Sequence, residues 1–334
     1  MDLPLEQGSD VDLPQMAFEP LGPTVKTIQV ASMRSVQFID EGPPSGIPLI
    51  FLGGAGTTVR SFRLMEFARP LRAYLGIRVV SVERNGLGQT TFDPGVGVME
   101  YAEDVWSLLD QLGIFEASIV AISGGGPYAA QLAAAHPERV RSVHLACAYA
   151  EPIPGEPLDF DPGRVAADPV AWWRFNPDSP VHRIPGFVDS AIEEATRSMF
   201  ARGRDVEPGG LRHAFELYAE TSLPDLGDIR GPVFMYWGSE DTLVSDKHIE
   251  RWQKSLRRRG REPETTVRMY RGEGHDVQYR HWDQIMTDVA YFGTRILMSA
   301  NGKTILADRR QENSLLASGA RLGLAAWCES DKKK

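Results

Sequence analysis

Cysteine is almost absent from this chain: Cys147 and Cys328 are the only two among 334 residues. A pair so few and so far apart excludes a disulfide-stapled secreted scaffold and points to a reducing compartment, with Cys147, inside an apolar run, expected as a small core residue. Long hydrophobic runs are also missing, since no uninterrupted apolar stretch approaches the roughly 20 residues that a membrane span requires. Positive charge is in short supply, because 36 lysines and arginines face 45 acids and leave a net charge of -9. Neither nucleic acid nor an anionic membrane is therefore expected as a partner, and Arg257-Arg258-Arg259 reads as a helix C-terminus. The chain opens on acidic and proline residues where a signal peptide would be basic and then apolar, so a soluble cytoplasmic protein is expected. No internal repeat and no metal-ligand cluster stands out, and neither metal nor cofactor is expected.

What the sequence does contain is an alternation of strand-like and helix-like segments. Two short strands begin near Thr27, and apolar runs at residues 49–52, 78–82, 117–122, 140–146, 232–237 and 265–270 read as further strands. A helix is expected over 61–74. The clearest amphipathic helix covers 99–112, with Val98, Tyr101, Val105, Leu108, Leu109 and Leu112 on one stripe and Gly113 as its stop. A closing helix is read through Trp282, Ile285, Met286, Val289, Phe292 and Ile296. The pattern predicts an α/β fold with a doubly wound, mostly parallel sheet covered by helices on both faces. Residues 1–24 read as an extended arm. Residues 299–334 read as a small appendage, with strands at 304–307 and 321–327 around a helix at 311–317, that extends a surface or builds a homo-oligomer.

Ser123 is the pivot of the most informative segment. The apolar run ends in Ala121-Ile122-Ser123-Gly124-Gly125 and a helix-forming stretch comes at once, so a strand turns sharply into a helix with serine at the apex. A strained apex needs nearly side-chain-free neighbours two positions away, and they are Ala121 and Gly125. The turn lifts the hydroxyl clear of the sheet and aims the Gly124 amide at a developing oxyanion. Two further pieces come later in the chain, in the order serine, acid, histidine. Gly238 breaks the strand at 232–237 and opens an acidic loop holding Glu240 and Asp241; a helix comes next, with Ser245 as its expected N-cap, Ile249, Trp252 and Leu256 at helical spacing, and Gly260 as its end. His275 sits on the loop Gly272-Glu273-Gly274-His275-Asp276 that leaves the last strand, where a general base reaches a serine on another strand of a parallel sheet. His136, His144 and His248 read as structural.

Taken together these segments resemble the α/β-hydrolase superfamily of the serine type. Residues 121–125 match its small-x-Ser-x-small elbow, Gly238 to Val244 its acid loop, and Gly274-His275 its histidine loop. Gly53-Gly54-Ala55 match its oxyanion loop, and Glu83-Arg84-Asn85-Gly86-Leu87-Gly88 the segment after the next strand. The family loop commonly reads His-Gly, so a histidine that buttresses it is missing here. The resemblance implies a catalytic Ser123, Asp241 and His275, an oxyanion hole formed by the amides of Ala55 and Gly124, and a substrate site bordered by Gly54. Glu151, after the strand at 140–146, competes for the acid role, because some similar enzymes supply the acid there.

The resemblance also implies a core over 25–150 and 227–298 with an inserted helical cap at 151–226, where the strand pattern lapses into proline-rich segments and candidate helices at 188–202 and 209–221. Trp172 and Trp173 lead the cap aromatics expected to contact substrate. Serine at the nucleophile position points to acyl chemistry rather than epoxide or halide opening. The expected function is hydrolysis of a small carboxylic ester or lactone through an acyl-enzyme. Alternatives are a proline-iminopeptidase-like amide hydrolase, with Glu193-Glu194 or Glu216 and Glu220 binding an ammonium group, and an idle ligand-binding receptor on the same fold.

Overall fold

The computed structural model describes residues 23–156, 182, 209–257, 263–291 and 295–324. The candidate arm before residue 23, the tryptophans Trp172 and Trp173, the helix read at 188–202, the Glu193-Glu194 pair and Cys328 all lie outside the described residues.

β1 (Val25–Gln29), β2 (Ser35–Glu41), β3 (Ile47–Leu52), β4 (Ile77–Val82), β5 (Ala117–Ile122), β6 (Val140–Ala146), β7 (Val233–Gly238) and β8 (Thr265–Tyr270) form one sheet. Their order is β1-β2-β4-β3-β5-β6-β7-β8. β2 runs antiparallel to β1 and β4, whereas every pairing from β4 through β8 is parallel. Every residue of β4, β5 and β7 is buried, as strands covered on both faces must be. The register aligns the strand ends, with Ile122 beside Ala146, Ala146 beside Tyr236, and Gly238 beside Tyr270. The loops leaving β5, β6, β7 and β8 therefore emerge side by side at one edge, the place where open parallel sheets carry their sites.

The amphipathic stripe behaves as expected: the helix Val98–Gln111 buries Tyr101, Val105, Leu108 and Leu109, and Gly113 comes after it at φ +69°. Three expectations are corrected. The single helix at 61–74 is a 3-10 helix, Val59–Ala68, joined to a short α-helix, Arg69–Tyr74; Pro70 has no N–H to continue an α-helical ladder across the junction. Ser245 does not cap the helix Lys247–Leu256, whose N-cap is Asp246, because its hydroxyl donates instead to Glu156 at 2.7 Å. The closing helix is Trp282–Tyr291, and Ile296 belongs to a strand, β9 (Arg295–Ala300).

The reason for the last difference is a hairpin. Asn301 and Gly302 take φ +52° and +76°, the left-handed pair of a two-residue hairpin turn, and fold β10 (Lys303–Asp308) back onto β9. β11 (Arg321–Leu322) pairs on the other side of β9, giving a small antiparallel sheet apart from the main one. No described helix is long and apolar enough to cross a membrane.

A buried polar chain ties β8 and the appendage to the core. Arg268 donates twice to Asp288, at 3.0 Å each, and also to Glu312 in the appendage helix Glu312–Ala317. Tyr236 donates to Asp288 at 2.7 Å and meets His144 at 3.0 Å, which in turn meets Ser142 at 2.8 Å. Both side chains of the Arg268–Asp288 pair are wholly buried. Removing one partner strands the other charge, so Arg268→Met is expected to lower stability by about 3 to 5 kcal/mol in urea unfolding. A loss within about 0.5 kcal/mol would show that the chain does not hold the sheet edge in place.

Candidate active site

The elbow exists because the residues around Ser123 leave no other path. Ser123 has φ +48°, in the left-handed region that a side chain rarely adopts, and opens a single 3-10 turn, Ser123–Gly125, from which the helix Gly126–Ala135 continues. The turn lies against neighbouring backbone. A Cβ at position 125 would stand 2.5 Å from the Leu52 carbonyl oxygen, and one at 126 only 1.8 Å from that of Tyr149. Glycine at both is a packing requirement. The Ser123 carbonyl accepts a hydrogen bond from the Tyr149 amide at 2.8 Å, which fixes the apex from behind.

Around the half-buried hydroxyl of Ser123, the aligned strand ends bring the other groups into line. His275 Nε2 is 2.9 Å from Ser123 Oγ, and His275 Nδ1 is 2.8 Å from Asp241 Oδ2. The other Asp241 oxygen accepts from the amides of Leu243 and Val244, each at 2.9 Å. Burial acts to raise the Asp241 carboxyl, but the hydrogen bond and charge of His275, the Val244 amide and the Cys147 thiol outweigh it and hold the group below its ordinary value. The acid loop and the histidine loop are packed together, because a Cβ at Gly238 would stand 2.2 Å from the Glu273 carbonyl oxygen. Glu151 is elsewhere: its carboxylate accepts from the Leu223 amide at 3.1 Å and lies 3.5 Å from Arg251.

Two residues at the site carry more than the sequence suggested. Cys147, expected as core filling, is wholly buried with φ +45°, and its thiol hydrogen-bonds Asp241. Burial first, and then the neighbouring carboxylate, raise that thiol well above its ordinary value, so it stays a neutral donor. Its signal was position, directly after β6 at the edge where the other site residues emerge. Cys147, Asp241 and His275 present ligand atoms within 4.8 Å of one another, but a metal ion held there would take the place of the His275–Asp241 hydrogen bond.

Arg84 is the second. Its guanidinium donates to the Gly54 carbonyl, to the Thr57 carbonyl at 2.8 Å and to Thr57 Oγ1 at 3.1 Å, while Thr57 Oγ1 itself donates to Gly54 at 2.7 Å. The other arm of the fork donates to Tyr218 Oη at 3.2 Å, and the group lies 5.3 Å from the Tyr128 ring centre. A buried cation thus buttresses the loop holding Gly54 and Ala55. Next to it, Glu83 accepts from the Val59 amide at 3.1 and 3.3 Å, and burial pushes its carboxyl up to about 7. Ala55 and Gly124 meet across the site: a Cβ on Gly124 would stand 2.9 Å from Ala55 N.

The remaining candidates lie outside this cluster. His144 and His248 are buried, and burial lowers them to about 3 and about 4, so they stay neutral in the core. His136 packs edge-on against Trp106. Glu216 and Glu220 are exposed on the helix Gly209–Glu220, with Glu216 3.9 Å from His213.

The family described as the alpha/beta hydrolase fold is matched over residues 47–281. Among curated proteins, the magnesium-chelatase 30 kDa subunit of Rhodobacter capsulatus is 29% identical over 216 residues, which cover 62% of this chain and 75% of that protein. The uncharacterized hydrolase YcgS of Bacillus subtilis is 25% identical over 235 residues, covering 64% and 81%. Among solved structures, a carboxylesterase study of Nitrososphaera gargenis gives a chain with TM-score 0.60 and 20% identity, over 80% of this chain and 98% of that one. The esterase RhEst1 of Rhodococcus gives 0.60 at 18%, over the same shares. At such identities the structural likeness speaks for the fold.

The raised carboxyl of Glu83 makes a pH test available. Because its folded value, about 7, lies above the ordinary 4.5, the folded state holds a proton that the unfolded state gives up between them. The stabilisation is whole below about 4.5 and is lost as pH rises through 7, a difference of up to about 3 kcal/mol. Glu83→Gln is expected to flatten the fall in urea stability between pH 5 and pH 8. An unchanged slope would show that Glu83 titrates normally.

Proposed function

The chain belongs to the alpha/beta hydrolase fold family, and on that premise we propose that it hydrolyses a small carboxylic ester or lactone, with Ser123 as nucleophile, His275 as general base and Asp241 as the acid. The observation that carries the reading is the continuous contact Asp241–His275–Ser123, at 2.8 and 2.9 Å, with the serine held at a left-handed apex. Asp241 keeps the Nδ1–H tautomer of His275, leaving Nε2 free to take the Ser123 proton as Oγ attacks the carbonyl. The amides of Ala55 and Gly124 hold the resulting oxyanion, each such donor contributing on the order of 3 kcal/mol in the transition state. His275 then passes its proton to the leaving alkoxide. A water molecule, deprotonated by the same ring, attacks the acyl-enzyme and frees the acid and Ser123.

Cys147 and the amides of Leu243 and Val244 support the reading, because together they keep Asp241 ionised and still. A wrong tautomer of His275 would present N–H to Ser123 and leave no base. Serine rather than aspartate at the apex favours acyl transfer over alkyl displacement. Trp172 and Trp173 are proposed to wall the acyl pocket.

An organophosphonate is expected to label Ser123 alone, and Ser123→Ala to lower turnover of an activated ester by on the order of 10⁶. Labelling elsewhere, or activity retained by the variant, would remove the serine mechanism; tight ligand binding with no turnover in the wild type would favour the receptor. Asp241→Asn is expected to cost roughly 10⁴ in rate with folding kept, whereas Glu151→Gln leaves the rate within about threefold. Truncating Trp172 or Trp173 to Ala is expected to shift preference between short and long acyl groups by about 1 to 3 kcal/mol, read as a ratio of kcat/KM. Equal losses on all substrates would contradict a pocket wall.

A further inference from the structure

Tyr218 carries a hydroxyl proton that no described residue at this site accepts. It lies near the end of the helix Gly209–Glu220, is 1% exposed, and packs its ring against Tyr128, Tyr149 and Phe215. Arg84 can only donate, so in the Arg84–Tyr218 hydrogen bond the phenol oxygen is the acceptor and its own hydrogen remains to be given. Among the described residues no group accepts it. A buried hydroxyl with an unsatisfied donor costs free energy unless a partner arrives.

The phenol packs directly onto Gly124. The position of a Cβ on Gly124 is 2.9 Å from Tyr218 Oη and 2.9 Å from Ala55 N. The phenol and the Ala55 amide therefore both press on the same face of the residue next after the nucleophile, an approach that only glycine at 124 allows. We propose that Tyr218 is a third donor of the oxyanion hole, giving its hydroxyl proton as a hydrogen bond to the oxygen of the tetrahedral intermediate while Arg84 polarises it from behind. This rests on the serine-hydrolase reading above. The arrangement has a chemical logic: a phenol that accepts from a cation becomes a stronger donor, and negative charge on the substrate oxygen is opposed by a positive charge one hydroxyl away. Burial raises the Tyr218 phenol against the lowering pull of Arg84, so the proton is present at neutral pH. The same guanidinium holds the Gly54 carbonyl, which couples the backbone donor to the side-chain donor through one group.

The test uses the full chain, p-nitrophenyl acetate as substrate and a trifluoromethyl ketone, whose adduct with serine carries the oxyanion, as inhibitor. Tyr218→Phe keeps the ring packing and removes the proton. It is expected to lower kcat 10- to 100-fold with KM within twofold, and to weaken the ketone by the same factor. Replacing Tyr218 with 3-fluorotyrosine separates donation from acceptance, since fluorine makes the hydroxyl a better donor and a poorer acceptor for Arg84. A donor to the oxyanion predicts ketone binding kept or tightened; a residue that only positions Arg84 predicts it weakened, and that result overturns the proposal even if Tyr218→Phe fails to fold. A kcat within threefold of wild type in Tyr218→Phe overturns it as well. Absence of phosphonate labelling at Ser123 in the wild type would instead overturn the underlying mechanism.

Discussion

Ser123 is held at φ +48°, a conformation that costs a residue with a side chain about 1 to 2 kcal/mol, and its surroundings are shaped to keep it there. Leu52 and Tyr149 press their carbonyls against positions 125 and 126, where only glycine fits, and the Tyr149 amide takes the serine carbonyl. Relaxing the apex would require moving β3 or the segment after β6, both continuous with a sheet buried on two faces. The strain is therefore maintained by the core, and its product is a hydroxyl lifted into line with His275.

Three neighbouring strand ends share the same logic. β5 delivers Ser123, β6 delivers Cys147, and β7 delivers Asp241, while the loop after β8 brings His275 over them. Parallel register makes these arrivals simultaneous, so residues up to 152 positions apart meet within hydrogen-bond distance. Cys147 also has a left-handed backbone, at φ +45°, directly beside the acid. Two strained residues on adjacent strands at one edge are what a site built from backbone precision, rather than from loose loops, looks like.

Buried charge does a second job around the oxyanion loop. Arg84 is 4% exposed, and among the described residues no carboxylate completes its hydrogen bonds; carbonyls, a threonine hydroxyl and a phenol do. Such an arrangement is tolerable because a guanidinium is planar, weakly hydrated and always charged, and because aromatic Tyr128 lies near it. Arg268 solves the same problem differently, with Asp288 and Glu312 as direct counter-ions. Among the described residues the first cation is held by neutral hydrogen-bond acceptors, whereas the second is neutralised by two acids.

The alternation of apolar runs and helices, the elbow at Ser123 and the positions of Asp241 and His275 were legible in the chain because each depends on local rules: strand burial, glycine at a tight turn, a loop at a strand's end. Hydrophobic periodicity alone misread Ile296, since an apolar residue at helical spacing also suits a strand, although Asn301-Gly302 carried the hairpin signal a few residues on. The competition between Glu151 and Asp241 lay beyond local reading. Both come after strands at the same edge, and which one faces His275 depends on Leu223 and Arg251 drawing Glu151 away, contacts that span 72 and 100 positions. Arg84 and Tyr218 are 134 positions apart and share a hydrogen bond that neither neighbourhood foretells. Sequence by itself determined the elements and the order of the chemical groups, because backbone geometry and burial act over a few residues. Tertiary structure alone decided which buried polar groups complete one another, because that depends on distances between strands rather than along them.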